Sequence, residues 1–146
     1  MNREGAAAPC DPLTWDERLE SGVLAIDLQH RVLFQLLQRV GEADGDDPST
    51  RLAEVLSQLR AYADYHFRYE EDWMRRHAVD GQEHAWHEHL HAGFADSLAD
   101  MATRLQQGQL SVTELGQFLR RWLIGHIVEQ DLPLLRQAQR RQAWQA

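Results

Sequence analysis

Four stretches of the chain repeat apolar residues at alternating intervals of three and four, the period of a helix that buries one face. The first, from about Val23 to Val40, carries Val23, Ile26, Leu33, Leu37 and Val40; the second, about Thr50 to His77, carries Leu52, Val55, Leu59, Tyr62 and Trp73. The third, about Gln82 to Gln107, carries Phe94, Leu98, Met101 and Leu105, and the fourth, Val112 to about Leu132, carries Leu115, Leu119 and Trp122. Breakers separate them: G-E-A-D-G-D-D-P-S-T after Val40, Asp80-Gly81, and Gly108 followed by Ser111, an N-cap with Glu114 three residues on. No segment alternates with a period of two, so no strand pair is expected. Four helices with short links predict an all-α fold, an antiparallel up-down-up-down four-helix bundle. Pro133 disfavours helix at Leu132, so irregular geometry is expected there, and the arginine-bearing tail beyond can prolong the helix.

The polar residues that interrupt these rows carry the chemistry. His30 stands in the first row, His66 and Glu70 in the second, His87 and His91 in the third and His126 in the fourth. An unpaired buried imidazole costs on the order of 2–7 kcal/mol and an unpaired carboxylate more, so each needs a partner. One such histidine reads as a hydrogen-bonded core residue. Five on four separate stripes cannot all be satisfied pairwise, and a shared metal ion satisfies them together. Asp131 lies five residues after His126, about 140° away on a regular helix; a wide turn bonded from i to i+5, or unwinding before Pro133, brings it onto the same face. His84 shares the third row, so His84 with His87 competes with His87 and His91 as the third helix's pair. His77 and His89 are expected in solvent.

Composition narrows the classes. The 146 residues suffice for one core, and 43% hydrophobic with 26% charged is ordinary for a globular chain. A net charge of −8 argues against a nucleic-acid partner. No apolar run approaches a membrane span and the N-terminus shows no signal core, which predicts a cytoplasmic protein without membrane insertion. Cys10 is the single cysteine and reads as a free surface thiol. Residues 1–14, rich in Gly, Ala and Pro, are expected to form an extended arm that Trp15 packs onto the bundle of residues 15–146.

Imidazole and carboxylate without thiolate suit iron, and less specifically manganese or zinc. Five histidines, two bridging carboxylates and one oxo or hydroxo bridge leave one position open on two six-coordinate ions, as reversible binding of a small ligand requires. The motifs I-D-L-Q-H ending at His30, H-F-R-Y-E-E from His66, H-E-H-L-H-A-G-F from His87 and W-L-I-G-H-I-V-E-Q-D ending at Asp131 resemble the four signatures of the hemerythrin family, bacterial hemerythrins especially. The resemblance spans about residues 13 to 132. It implies a bundle around a non-haem di-iron centre bridged by oxo or hydroxo, with His87, His91 and His126 on one iron, His30 and His66 on the other, and Glu70 and Asp131 between them. It also implies dioxygen as the ligand, bound at the iron with fewer protein ligands, with nitric oxide or small anions as further ligands. The link between Glu70 and His87 is longer than the family's usual one.

Other classes weigh against this reading. His87-Glu88-His89-Leu90-His91 fits the H-E-x-x-H pattern of zinc metallopeptidases, but that leaves His30, His66, Glu70, His126 and Asp131 without a role. Glu88, about 100° from the histidine stripe, is expected to face solvent. A di-iron oxidase, peroxidase or nitric oxide handling protein on the same fold is the enzymatic alternative; carboxylate-rich sites with Glu-x-x-His pairs from two helices are its usual form, and this chain has too few inward carboxylates. The expectation is therefore a binding protein for oxygen transport, storage or sensing, not an enzyme. As a sensor it would signal through the arm or the Trp144 tail.

Overall fold

A computed structural model describes residues 15–41, 48–77 and 79–145, with the backbone alone at 48 and 142–145. The expected arm over 1–14 with Cys10, and the side chain of Trp144, lie outside the described residues. The described residues form five α-helices: α1 Leu24–Gly41, α2 Pro48–Arg76, α3 Gly81–Gln106, α4 Val112–Gly125 and α5 Leu132–Gln145. A π-helical turn, His126–Asp131, joins α4 to α5, and a 3-10 turn, Glu17–Leu19, precedes α1. Among the described residues there is no strand. The chain folds as the antiparallel four-helix bundle that the periodicity predicts, with α1 beside α2 and α4, and α2 beside α3. No described helix is long and apolar enough to cross a membrane.

The helix ends follow their capping chemistry. Asp80 accepts from the backbone N–H of Gln82 and Glu83 at the start of α3, and Ser111 accepts from Glu114 at the start of α4. Gly108, at φ +72°, takes the left-handed conformation that ends α3. Before α1, Asp27 accepts from Ser21 N and Oγ, both at 2.8 Å, and from Gly22 N at 3.2 Å. The C-terminal helix clasps this segment from outside: Arg136 donates to the carbonyls of Arg18 and Glu20, and Gln139 to that of Ser21. Trp15 packs edge-on against Phe34 with the Arg31 guanidinium over its ring, so it anchors this end of the described chain.

Two apolar layers fill the bundle. The larger includes Leu33, Leu37, Leu56, Leu98, Leu115 and Leu119; the smaller holds Ile26, Trp73, Met74, Leu134, Leu135 and Ala138. On α1, α2 and the fourth rod the inward row passes from one layer to the other through a histidine or carboxylate: His30 between Ile26 and Leu33, His66 and Glu70 between Ala63 and Trp73, His126 and Asp131 between Leu123 and Leu134. The polar residues thus form a stratum sealed from above and below. Apolar contact continues on both sides of that stratum along these rods.

Candidate metal centre

All seven predicted residues, His30, His66, Glu70, His87, His91, His126 and Asp131, are buried, and they meet in this stratum. Their polar atoms form two overlapping groups in which all lie within 4.8 Å of one another: Glu70, His87, His91, His126 and Asp131, and His30, His66, Glu70 and Asp131. The two carboxylates belong to both groups, and each divides its oxygens between them. Oδ1 of Asp131 lies 2.8 Å from His87 Nε2 and 3.0 Å from His126 Nε2, whereas Oδ2 lies 3.2 Å from His30 Nε2. Oε1 of Glu70 lies 3.2 Å from His91 Nε2, and Oε2 lies 3.4 Å from His66 Nε2 and 3.7 Å from His30 Nε2. Neighbouring ligands about 2.1 Å from a six-coordinate ion are about 3.0 Å apart, so these spacings match the edges of two coordination shells sharing both carboxylates.

Local backbone geometry supplies this convergence. His66 and Glu70 are four apart on α2, and His87 and His91 four apart on α3, so each pair is stacked on one face. His126 and Asp131, five apart, share a face because the π-turn widens the helix there; Leu132 donates its N–H to the carbonyl of Ile127, five residues back. The wide turn is the irregularity that the spacing and Pro133 predict. Leu132 itself departs from expectation, keeping helical angles of φ −59° and ψ −47°. The extra residue in the turn absorbs the mismatch with Pro133, and Val128 and Glu129, whose carbonyls lose regular partners, are exposed to water.

The donor chemistry also fits a cation. His91 Nδ1 donates to Glu71 Oε2 at 2.7 Å and His66 Nδ1 to Gln29 Oε1 at 2.7 Å, which leaves the Nε2 lone pairs of both rings facing Glu70. His66 Nε2 and both Glu70 oxygens are buried without a hydrogen-bond partner. Acceptors facing acceptors in a dry core repel, and a positive ion between them removes the conflict. His91 Nε2 and His126 Nε2 are 3.1 Å apart, again as two ligands of one ion stand. The buried Nδ1 of His30 also lacks a partner, and a metal at Nε2 does not account for it.

Without a metal, the cluster redistributes protons. Burial disfavours charge on His30 and His126, but the nearby carboxylates of Asp131 and Glu70 outweigh it, raising them to about 9 and about 10. Burial dominates at His66 and lowers it. Burial also works against charge on Glu70 and Asp131, and the surrounding histidines nevertheless hold both carboxyls below their usual range. This is a site whose anionic groups already attract positive charge.

The remaining histidines lie elsewhere. His84, the competing candidate, has a side chain 17% exposed and stands 3.1 Å from the solvent-facing Glu88. His89 is exposed and stacks on Trp86. His77 is only half in solvent: it stacks on Trp73 at 4.0 Å and its Nδ1 donates to the Trp73 carbonyl. Aromatic rings wall the cluster on one side, Phe67 lying flat on His91 at 3.9 Å and Trp122 on His126 at 4.4 Å. Sequence reasoning passed over Gln29 and Glu71, which hold two of the imidazoles, although each adjoins a predicted ligand.

An all-helical bundle with a buried histidine–carboxylate stratum arranged for two cations defines a class of non-haem metal protein. Residues 21–138 match the family model described as Hemerythrin HHE cation binding domain, and the chain belongs to the hemerythrin family. It is 29% identical over 119 residues to a bacteriohemerythrin of Pseudomonas aeruginosa, covering 82% of this chain and 76% of the relative. To a bacteriohemerythrin of Stenotrophomonas maltophilia it is 30% identical over the same shares, and to hemerythrin subunit alpha of Lingula anatina 26%, covering 83% and 91%. A crystal structure of a hemerythrin point mutant superposes with a TM-score of 0.74 at 24% identity, covering 85% of this chain and 97% of that one, which shows the shared fold.

Proposed function

We infer that this protein reversibly binds dioxygen at a di-iron centre, with His87, His91 and His126 on one iron, His30 and His66 on the other, and Glu70 and Asp131 bridging. The observation that carries this reading is the division of both carboxylates between histidine sets of three and two. The two-histidine side has one fewer protein donor, which leaves room for an exchangeable ligand. A reduced iron pair supplies, when bound, the electrons and the open position that dioxygen requires. The chain's own residues do the rest. His66 presents a lone pair because Gln29 holds its other nitrogen; Phe67 and Trp122 exclude water; and a wholly apolar cavity of about 10 Å³, bordered by Leu33, Ala63, Phe67 and Trp122, adjoins the aromatic wall. Its lining is wholly apolar and offers water no hydrogen-bond partner, which keeps that side of the cluster dry.

The enzymatic alternative, an oxidase, peroxidase or nitric oxide handling protein, gains less support. Tyr65 is 52% exposed beside the rings of Tyr62 and Tyr69, which pack against the two apolar layers. The test is iron analysis of the chain reconstituted with ferrous iron, with optical spectra before air, after air and after oxygen is withdrawn. About two irons per chain and a visible band that comes and goes with oxygen are the expected result. Sustained consumption of peroxide or nitric oxide with an electron donor, without a reversible band, overturns it.

A further inference from the structure

Two of the five inward imidazoles are gripped from behind, and by unlike groups. Gln29, on α1, accepts from His66 on α2; Glu71, on α2, accepts from His91 on α3. α1 and α2 each therefore contribute an inward donor and, beside it in sequence, the residue that orients a donor of the next helix. The surroundings differ as much as the groups do. Gln29 is 5% exposed, in a dry interface where a carboxylate would be costly. The Glu71 side chain is 20% exposed and, with His91, Ala92 and Ala95, lines an open groove of about 670 Å³ between α2 and α3.

A carboxylate draws on an imidazole N–H more strongly than a neutral amide does, and leaves the opposite nitrogen the better electron donor. We propose that Gln29 and Glu71 are positioning residues that make the halves of the centre unequal. Glu71 strengthens the half formed by His87, His91 and His126, and Gln29 orients the half formed by His30 and His66 without adding charge. This deepens the two-metal reading above and rests on it. The consequence is ordered loading: the three-histidine half fills first and releases its ion last.

The test is an anaerobic titration of the metal-free chain with Co(II) as the sole probe, read by its ligand-field absorption, for wild type, Glu71→Gln, Glu71→Leu and Gln29→Leu. Wild type is expected to take two equivalents in two steps. Glu71→Gln weakens the tighter step by about 10- to 100-fold and leaves the other in place; Gln29→Leu weakens the other. Nitrogen-15 NMR of the histidines in the metal-free chain separates charge from orientation. Glu71→Gln, whose amide oxygen still accepts, keeps the proton of His91 on Nδ1, and Glu71→Leu frees it. Should Gln29→Leu fail to fold, Glu71→Gln decides alone, because its site is on the groove. Two steps unchanged in Glu71→Gln, or both weakened alike, overturn the proposal while the two-metal centre stands; a wild type that takes fewer than two equivalents overturns both.

Discussion

His126 and Asp131 are five residues apart, yet Nε2 of one lies 3.0 Å from Oδ1 of the other. On a regular helix they would diverge by about 140°. The π-turn between them cancels most of that angle, and it does so where Pro133 already deprives the helix of one donor. A distortion that costs backbone hydrogen bonding thus serves the cluster: it is the only segment of the described fourth rod that delivers both an imidazole and a carboxylate to the centre.

Asp131→Asn keeps the shape of this contact and removes its charge. In the metal-free chain, His126 is expected to fall from about 10 toward its ordinary 6.5, and His30 to fall from about 9, each read by NMR titration. Metal affinity should drop at least about 10-fold, since an amide cannot bridge as a carboxylate does. An unchanged His126 titration would mean that Asp131 is not what holds it charged.

The periodic rows were sufficient for the bundle because each helix buries one face, and burial is what the three-four spacing records. The same rows exposed the centre, since His30, His66, Glu70, His91 and His126 are polar residues where only packing is otherwise expected. Asp131 was legible through an awkward interval joined to a nearby proline. Gln29, Glu71 and Asp27 were not, because polar residues at the edge of a buried stripe read as solvated, and their partners lie on other segments at distances that sequence does not encode. His77 was misread for a similar reason: its partner, the carbonyl of Trp73, belongs to the backbone.

Sharing of the carboxylates makes a stoichiometric prediction. Glu70→Ala should abolish binding of both ions, because both histidine sets use its oxygens, whereas His66→Ala should leave close to one ion per chain. His84→Ala should leave two, its ring standing 3.1 Å from Glu88 and belonging to neither ligand group. Metal analysis after dialysis checks all three. Full loading of Glu70→Ala would sink the bridging arrangement.

The entry to α1 is a structural weak point. Gly22 sits at φ +95°, and a Cβ there would meet Gln139 Oε1 at 3.0 Å, so Gly22→Ala should cost about 1–3 kcal/mol of stability. Ser21→Ala removes a 2.8 Å hydrogen bond to a buried carboxylate and should cost about 1.5–3 kcal/mol. Denaturant titration measures both; values near zero would show that Asp27 does not need this cap.

Stability of the metal-free chain should depend on pH with a sign set by the cluster. His30 and His126 are raised to about 9 and about 10 in the folded state, so their contribution is complete below 6.5 and is lost as pH climbs through 9 to 10. His66 is lowered, so it opposes folding as pH falls below 6.5; Glu70 and Asp131 are lowered as well, and their contribution disappears only as acid protonates them in the fold. Together these groups place the optimum near pH 6.5. Metal at the Nε2 atoms displaces the protons of His30 and His126, so the loaded protein should lose the alkaline decline, and loading near neutral pH should release protons that an indicator dye can count. Unfolding midpoints of the metal-free chain that hold level or rise between pH 6.5 and 9 would contradict the charge arrangement from which this follows.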